Sequence, residues 1–120
     1  MEANPIFERL PEAIRSRGRS LQDIGLNEIA WPLSMVGEVL RSFTGLDVAV
    51  LGGDVYEVLG ATVTPSYENW FCERLPEETL AAYSTRSRRT ATEFVEKIAS
   101  RADTERLVSL VVSDSADAGY

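Results

Sequence analysis

The sequence predicts an α+β fold: a small, mainly antiparallel sheet covered on one face by two main helices, in a single domain. Three observations carry that expectation. Apolar residues recur at helical spacing in two stretches, Leu33 to Phe43 and Leu80 to Ile98. Between them lie short runs rich in valine and threonine, punctuated by glycine. The chain has 120 residues, 44% of them hydrophobic, which suffices for one buried core and leaves no room for two. Residues 1–113 are read as that domain and Asp114 to Tyr120 as a disordered tail.

The elements follow in order. Asn4-Pro5 reads as an N-cap followed by proline at the first helical position. Ile6, Phe7, Leu10 and Ile14 then recur at helical spacing, with Pro11 kinking the helix or restarting it. Leu21 and Ile24 belong to a short turn closed by Gly25. Glu28 to Trp31 is extended, because Pro32 disfavours helix at the residue before it. From Pro32, the residues Leu33, Val36, Leu40 and Phe43 form one helix face, stopped by Gly45. Asp47 to Leu51 reads as a buried central strand, which Gly52-Gly53 is expected to break. Val55 to Leu59 and Ala61 to Thr64 flank Gly60 as a hairpin. Tyr67 to Cys72 reads as an irregular aromatic segment.

A long helix is expected from Pro76, with Glu77 and Glu78 in its first turn, where the helix dipole favours acids. Leu80, Tyr83, Ser87, Ala91, Phe94 and Ile98 trace its inner stripe, while Arg86, Arg88, Arg89 and Lys97 are expected mostly to face water. Leu107 to Val112 reads two ways. Val108, Val111 and Val112 favour a strand, whereas Asp103 can cap a short helix.

Composition excludes several chemistries. There is no histidine, and Cys72 is the single cysteine. Histidine-dependent nucleophiles, histidine-ligated metals, structural zinc and an internal disulfide are therefore out. No cofactor and no metal site is expected. No window approaches the ~18 consecutive apolar residues of a membrane span. Met1-Glu2-Ala3-Asn4-Pro5 lacks the basic start and apolar run of a secretory signal. These features point to the cytoplasm.

The net charge of −7 is unevenly spread. Between Ser42 and Tyr83 seven acids (Asp47, Asp54, Glu57, Glu68, Glu73, Glu77 and Glu78) face one base, Arg74, so that this span carries −6. Such a middle repels nucleic acid and favours a basic protein partner; ordinary solvated surface charge gives the same pattern.

The motifs leave alternatives open. Gly52-Gly53-Asp54 follows a strand but lacks the lysine of a phosphate loop and the third glycine of a dinucleotide fingerprint. It reads as a glycine turn or bulge with a capping aspartate, or as a place where a partner's backbone approaches closely. Asp54, Glu57 and Glu68 have no spacing that fixes a catalytic carboxylate pair, and no Asp-x-Asp loop supports a divalent cation. Tyr56, Tyr67, Trp70 and Phe71 pack beneath the long helix or anchor an interface, with core the expectation for Trp70 and Phe71. Cys72 reads as a small buried hydrophobe and Asn69 as a local backbone partner.

The block Leu51-Gly52-Gly53-Asp54-Val55-Tyr56, followed by Tyr67-Glu68-Asn69-Trp70-Phe71-Cys72, resembles the immunity protein 40 family of bacterial polymorphic toxin systems. That family places a Gly-Gly-Asp-Val-Tyr turn before a variable hairpin and a Tyr-Asp-Asn-Trp-Tyr-Cys-like segment. Glu68 replaces the expected aspartate and Phe71 the expected tyrosine, keeping charge and ring. Ser20 to Trp31 is similar to the family's entry to its first strand, and Tyr83 and Ser87 fall as on its long helix. The resemblance thus spans Leu21 to Ile98. It implies an α+β immunity protein that protects the producing cell and its kin from a cognate toxin, and it supplies no catalytic residues.

The expectation is a non-enzymatic protein acting by stoichiometric occlusion of a toxin with a basic surface, without nucleic-acid or membrane partners. Asp54, Glu57, Glu68 and Glu73 would meet that surface, with Tyr56, Tyr67 and Trp70 as anchors. An adaptor or chaperone for a secreted protein shares every compositional feature, and a small carboxylate-dependent enzyme is the more distant alternative.

Overall fold

The computed structural model describes residues 4–101 and 103–114. Five strands form one sheet: β1 (Arg19–Ser20), β2 (Ile29–Pro32), β3 (Ala49–Leu59), β4 (Thr62–Phe71) and β5 (Glu105–Ser113). Their order is β1-β2-β5-β3-β4, and every neighbouring pair is antiparallel. The helices are α1 (Glu12–Arg15), α2 (Val36–Ser42) and α3 (Leu80–Arg101), joined by 3-10 turns at Pro5–Arg9, Gln22–Ile24 and Leu33–Met35. The expected α+β class is observed. Val36, Val39, Leu40 and Phe43 from α2 and its end, and Ala91 and Val95 from α3, share one core with Val50, Val55, Val108 and Leu110 of the sheet.

The segment that reads two ways in the sequence is strand β5, and it lies between β2 and β3. Leu107, Val108, Ser109 and Leu110 are all buried. A strand covered on both faces needs no polar alternation, so its sequence lacks the period-2 signature.

β3 runs unbroken through Gly52-Gly53, contrary to the expected break. Its irregularity is instead a bulge one residue earlier. Val50 pairs with Val112 and Gly52 with Val111, leaving Leu51 as the extra residue. The groups displaced there find partners outside the ladder. Val50 N–H donates to Ser87 Oγ at 2.9 Å, and the Leu51 carbonyl accepts from Cys72 N–H at 2.7 Å. This explains a serine on the inner stripe of α3: it satisfies a buried backbone donor.

Tyr67 to Phe71 is likewise strand rather than irregular structure. Asp54 pairs with Asn69 but Tyr56 with Pro65, so β4 bulges between those points. Tyr67 takes a left-handed φ of 65° there. Ser66 Oγ donates to the Val55 carbonyl at 3.0 Å across the gap. A bulge and a proline on an edge strand blunt its capacity to pair with other chains.

α3 begins at Leu80, later than expected, because Thr79 caps it: Ala82 N–H donates to Thr79 Oγ1 at 3.1 Å. Glu77, with φ 65°, precedes the helix in a turn. Glu78 therefore lies just before the helix rather than in its first turn. Its carboxylate takes two 2.8 Å hydrogen bonds from Arg86 and one of 2.9 Å from Leu75 N–H. Arg86 is thus only partly exposed to water. It also donates to the Glu73 carbonyl at 2.6 Å and lies 5.7 Å over the Tyr83 ring. Tyr83 in turn donates its hydroxyl to the Cys72 carbonyl at 2.6 Å. These contacts clamp the exit of β4 onto α3. Cys72 is buried, as expected.

At the N-terminus Asn4 accepts from Ile6 N–H at 3.0 Å and donates to the Val112 carbonyl at 2.9 Å, tying the first turn to β5. Phe7 packs on Trp31 at 5.1 Å. Asp114 pairs with Arg9 at 2.6 Å, and the remainder of the expected tail lies outside the described residues.

The bonds from Arg86, then from Leu75 N–H, hold the Glu78 carboxyl at about 2, below its ordinary 4.5. A carboxyl depressed on folding contributes stability that is full above the unfolded value and is lost as pH falls through the folded one. Glu78→Gln is expected to lower stability at about pH 6 and to shrink the further loss between about pH 6 and about pH 3. Urea midpoints of both proteins at each pH check this, and equal acid sensitivity would contradict it.

Candidate functional site

The two halves of the sequence block lie side by side in register. Gly52 pairs with Phe71, Gly53 with Trp70 and Asp54 with Asn69. Because side chains alternate across a strand, successive pairs belong to opposite faces of the sheet.

The Gly53–Trp70 pair faces α3. Trp70 is buried and stacks on Phe94 at 4.7 Å with 28° between the rings. A Cβ on Gly53 would fall 2.4 and 2.6 Å from two atoms of the Trp70 ring and 2.6 Å from the Ser109 carbonyl. The glycine thus makes room for the indole of this same chain.

The alternate residues face away from α3. Phe71 is 63% exposed, contrary to its expected place in the core, and Val111 is 37% exposed. Both pair with Gly52, so they flank a position without a side chain. One row along lie Asn69, Asp54, Ser109 and Ala30, on β4, β3, β5 and β2 respectively. Tyr56 packs in a second apolar cluster on this face with Leu21, Ala30, Val63 and Leu107. Its hydroxyl donates to Glu28 Oε2 at 3.0 Å. Burial foremost, then the Glu28 bond and charge and the charge of Asp54, push the Tyr56 hydroxyl up to about 12. The Ser109 hydroxyl is near enough to Tyr56 to oppose that shift, yet it is buried without a hydrogen-bond partner of good geometry.

The remaining expected contact residues are scattered. Glu57 and Glu68 meet at another part of the sheet, where Arg106 approaches each at 3.8 Å and Arg101 pairs with Glu68 at 3.0 Å. Both arginines lie outside the acidic span of the sequence, as does Arg86, the partner of Glu78, so three of its seven charges are compensated from outside it. Tyr67 stands 87% exposed at the β4 bulge. Glu73 is exposed in the connection to α3. Trp70 and Tyr56 are both buried, and their rings serve the two clusters just described. The structure therefore joins Asp54 to Tyr56, joins Glu57 to Glu68, and separates these pairs.

Sequence reasoning missed Glu28, Ser109 and Val111. Phe71 was within reach of it: once Trp70 is placed inside, strand alternation puts Phe71 outside. Among the described residues, no group of three His, Cys, Asp or Glu is placed to hold a metal ion. No described helix is long and apolar enough to cross a membrane.

The model of the Immunity protein 40 family matches residues 20–112. The match covers most of the chain, and the protein belongs to that family. No curated protein and no solved structure matches the chain.

Gly53→Ala is expected to cost about 2 kcal/mol, the usual range for overpacking a filled core. Asp54→Asn, one residue on and facing the other way, should stay within about 0.5 kcal/mol. Urea unfolding of the two variants decides the matter, and an unchanged midpoint for Gly53→Ala would contradict the packing role.

Proposed function

We propose that this protein is an immunity protein that binds a cognate protein toxin stoichiometrically in the cytoplasm and blocks it by occlusion. Membership of the Immunity protein 40 family, matched over residues 20–112, is the observation that carries this reading. A binding role needs no catalytic group, and the reading assigns none.

The contact is assigned to the sheet face away from α3 and the adjoining edge of β4. Exposed aromatic residues are the favoured anchors of protein interfaces, and Tyr67 and Phe71 supply them there. Asp54 adds negative charge suited to a basic surface. Of the residues first assigned to the contact, Asp54, Tyr67 and Glu73 remain direct candidates. Tyr56 acts from beneath by holding Glu28. Trp70 shapes the strand from the other side, and Glu57 and Glu68 contribute less because arginines of the same chain already meet them.

A chaperone or adaptor for a secreted protein remains the second reading, since it uses the same kind of exposed aromatic face. Co-expression separates the two. Cells making a cognate toxic domain are expected to survive only with this protein, and the two should purify as a one-to-one complex. Cells that die despite co-expression would sink the immunity reading. Raising salt from ~0.1 M to ~1 M, which shortens the Debye length from ~10 to ~3 Å, is expected to slow association more than it speeds release. Stopped-flow binding reads both rates, and a salt-independent association rate would count against electrostatic steering.

A further inference from the structure

We propose that the cleft between α2 and α3 is a phosphate site, in which Arg41, Arg88 and Arg89 hold a phosphate group, free or carried by a small monoester. The site lies on the helical side of the molecule and does not depend on the toxin-binding reading. Four observations support it.

The first is shape. Gly37, Leu40, Arg41 and Thr44 recur at helical spacing, so they form one stripe along α2 and its exit. With Arg88 and Arg89 of α3 they line an open depression of about 220 Å³. That volume takes a tetrahedral oxyanion and leaves room for a small organic group attached to it.

The second is charge without compensation. The chain as a whole carries −7, yet three cations share this one depression. Arg9, Arg19, Arg86, Arg101 and Arg106 each pair with an acid, whereas Arg41, Arg88 and Arg89 form no ion pair among the described residues. Glu38 and Glu93 stand one turn from Arg41 and Arg89 on the same helices and still make no pair with them. Like charges gathered around one point repel, and an anion between them removes the repulsion.

The third is an unmet donor. Arg88 is half-buried, and its Nη1 is shut off from water without a hydrogen-bond partner. Buried donors are rarely left so, and charged ones cost the most. The positive charge is shared across the guanidinium, so an anion beside the group compensates the enclosed nitrogen with the rest.

The fourth is a prepared seat. Arg41 folds back along α2: its Nη1 lies 3.3 Å, and its Cζ 4.0 Å, from the place a Cβ of Gly37 would take. Glycine is a poor helix former, and here its missing side chain lets the guanidinium lie against the wall of the depression.

The ligand follows from the donors. A carboxylate offers two oxygens and is matched by one guanidinium fork, whereas three guanidinium groups suit a dianion with three acceptor oxygens. A nucleic-acid strand fits less well, because the net charge repels a polyanion.

Titration of isotope-labelled protein with inorganic phosphate, at ionic strength held constant with sodium chloride, tests the site. NMR of backbone amides and arginine side-chain N–H groups is expected to show saturable shifts at Gly37, Arg41, Thr44, Arg88 and Arg89, and weaker ones with succinate. Arg88→Gln and Arg41→Gln are each expected to weaken phosphate binding about tenfold, and Arg17→Gln, at an exposed position outside the cleft, to leave it unchanged. Gly37→Ala displaces Arg41 without removing charge and is expected to weaken binding as well. Phenyl phosphate separates the two sources: tighter binding than inorganic phosphate assigns the site to a monoester, and no gain assigns it to the free ion. The double variant Arg41→Gln, Arg89→Gln changes only exposed positions and keeps the test decisive should Arg88→Gln fail to fold. Absence of saturable shifts with phosphate, succinate binding as tightly as phosphate, or undiminished shifts in the double variant would overturn the site.

Discussion

The packing of Trp70 over Gly53 is the constraint on which the rest of the structure depends. The indole lies between the glycine of β3 and Phe94 of α3, so one contact fixes the register of the hairpin and the seat of the long helix together. A slip of one residue would turn Trp70 to the opposite face and bring Phe71 beneath the helix. Everything outward-facing in the block follows from that choice. With Gly53 and Trp70 inside, Asp54 and Phe71 are outside. The bulge at Leu51 and the clamp of Arg86, Glu78 and Tyr83 then hold the two ends of this packed unit. Each supplies partners for groups that the sheet ladder leaves over.

The block that marks the family therefore has two roles divided by strand alternation. Its inward half is architecture: a glycine because a ring needs its space, and a tryptophan because α3 needs a broad apolar contact. Its outward half, Asp54 with Asn69 and Phe71, contributes little to the core and presents charge and an aromatic ring to solvent. A binding surface built on a central strand, rather than on a loop, has its geometry set before the partner arrives, which reduces the ordering cost of association.

Much of the fold is legible in the sequence. The α3 stripe, the helix after Pro32 and the hairpin at Gly60 each carry a periodicity or a turn residue with a single meaning. The misreadings have physical causes. Glycines in a strand resemble a break unless the ring they accommodate is known, and Trp70 lies distant in sequence from Gly53. The bulge at Tyr67 interrupts alternation, so a strand resembles an irregular segment. β5 is covered on both faces from Leu107 to Leu110 and loses there the pattern that would identify it. The site was less legible. Glu57 and Glu68 count as bare charge until Arg101 and Arg106 are brought to them by the fold. Glu28 meets Tyr56 only because β2, which it precedes, and β3 both flank β5.

Hydroxyl-radical footprinting of the free protein and of its toxin complex, read residue by residue by mass spectrometry, tests this division of roles most directly. The account predicts that Phe71 and Tyr67 are labelled in the free protein while Trp70 is not, and that complex formation protects Phe71 and leaves Trp70 unchanged. Labelling of Trp70 on a par with Phe71 in the free protein, or protection of Trp70 rather than Phe71 by the toxin, would contradict it.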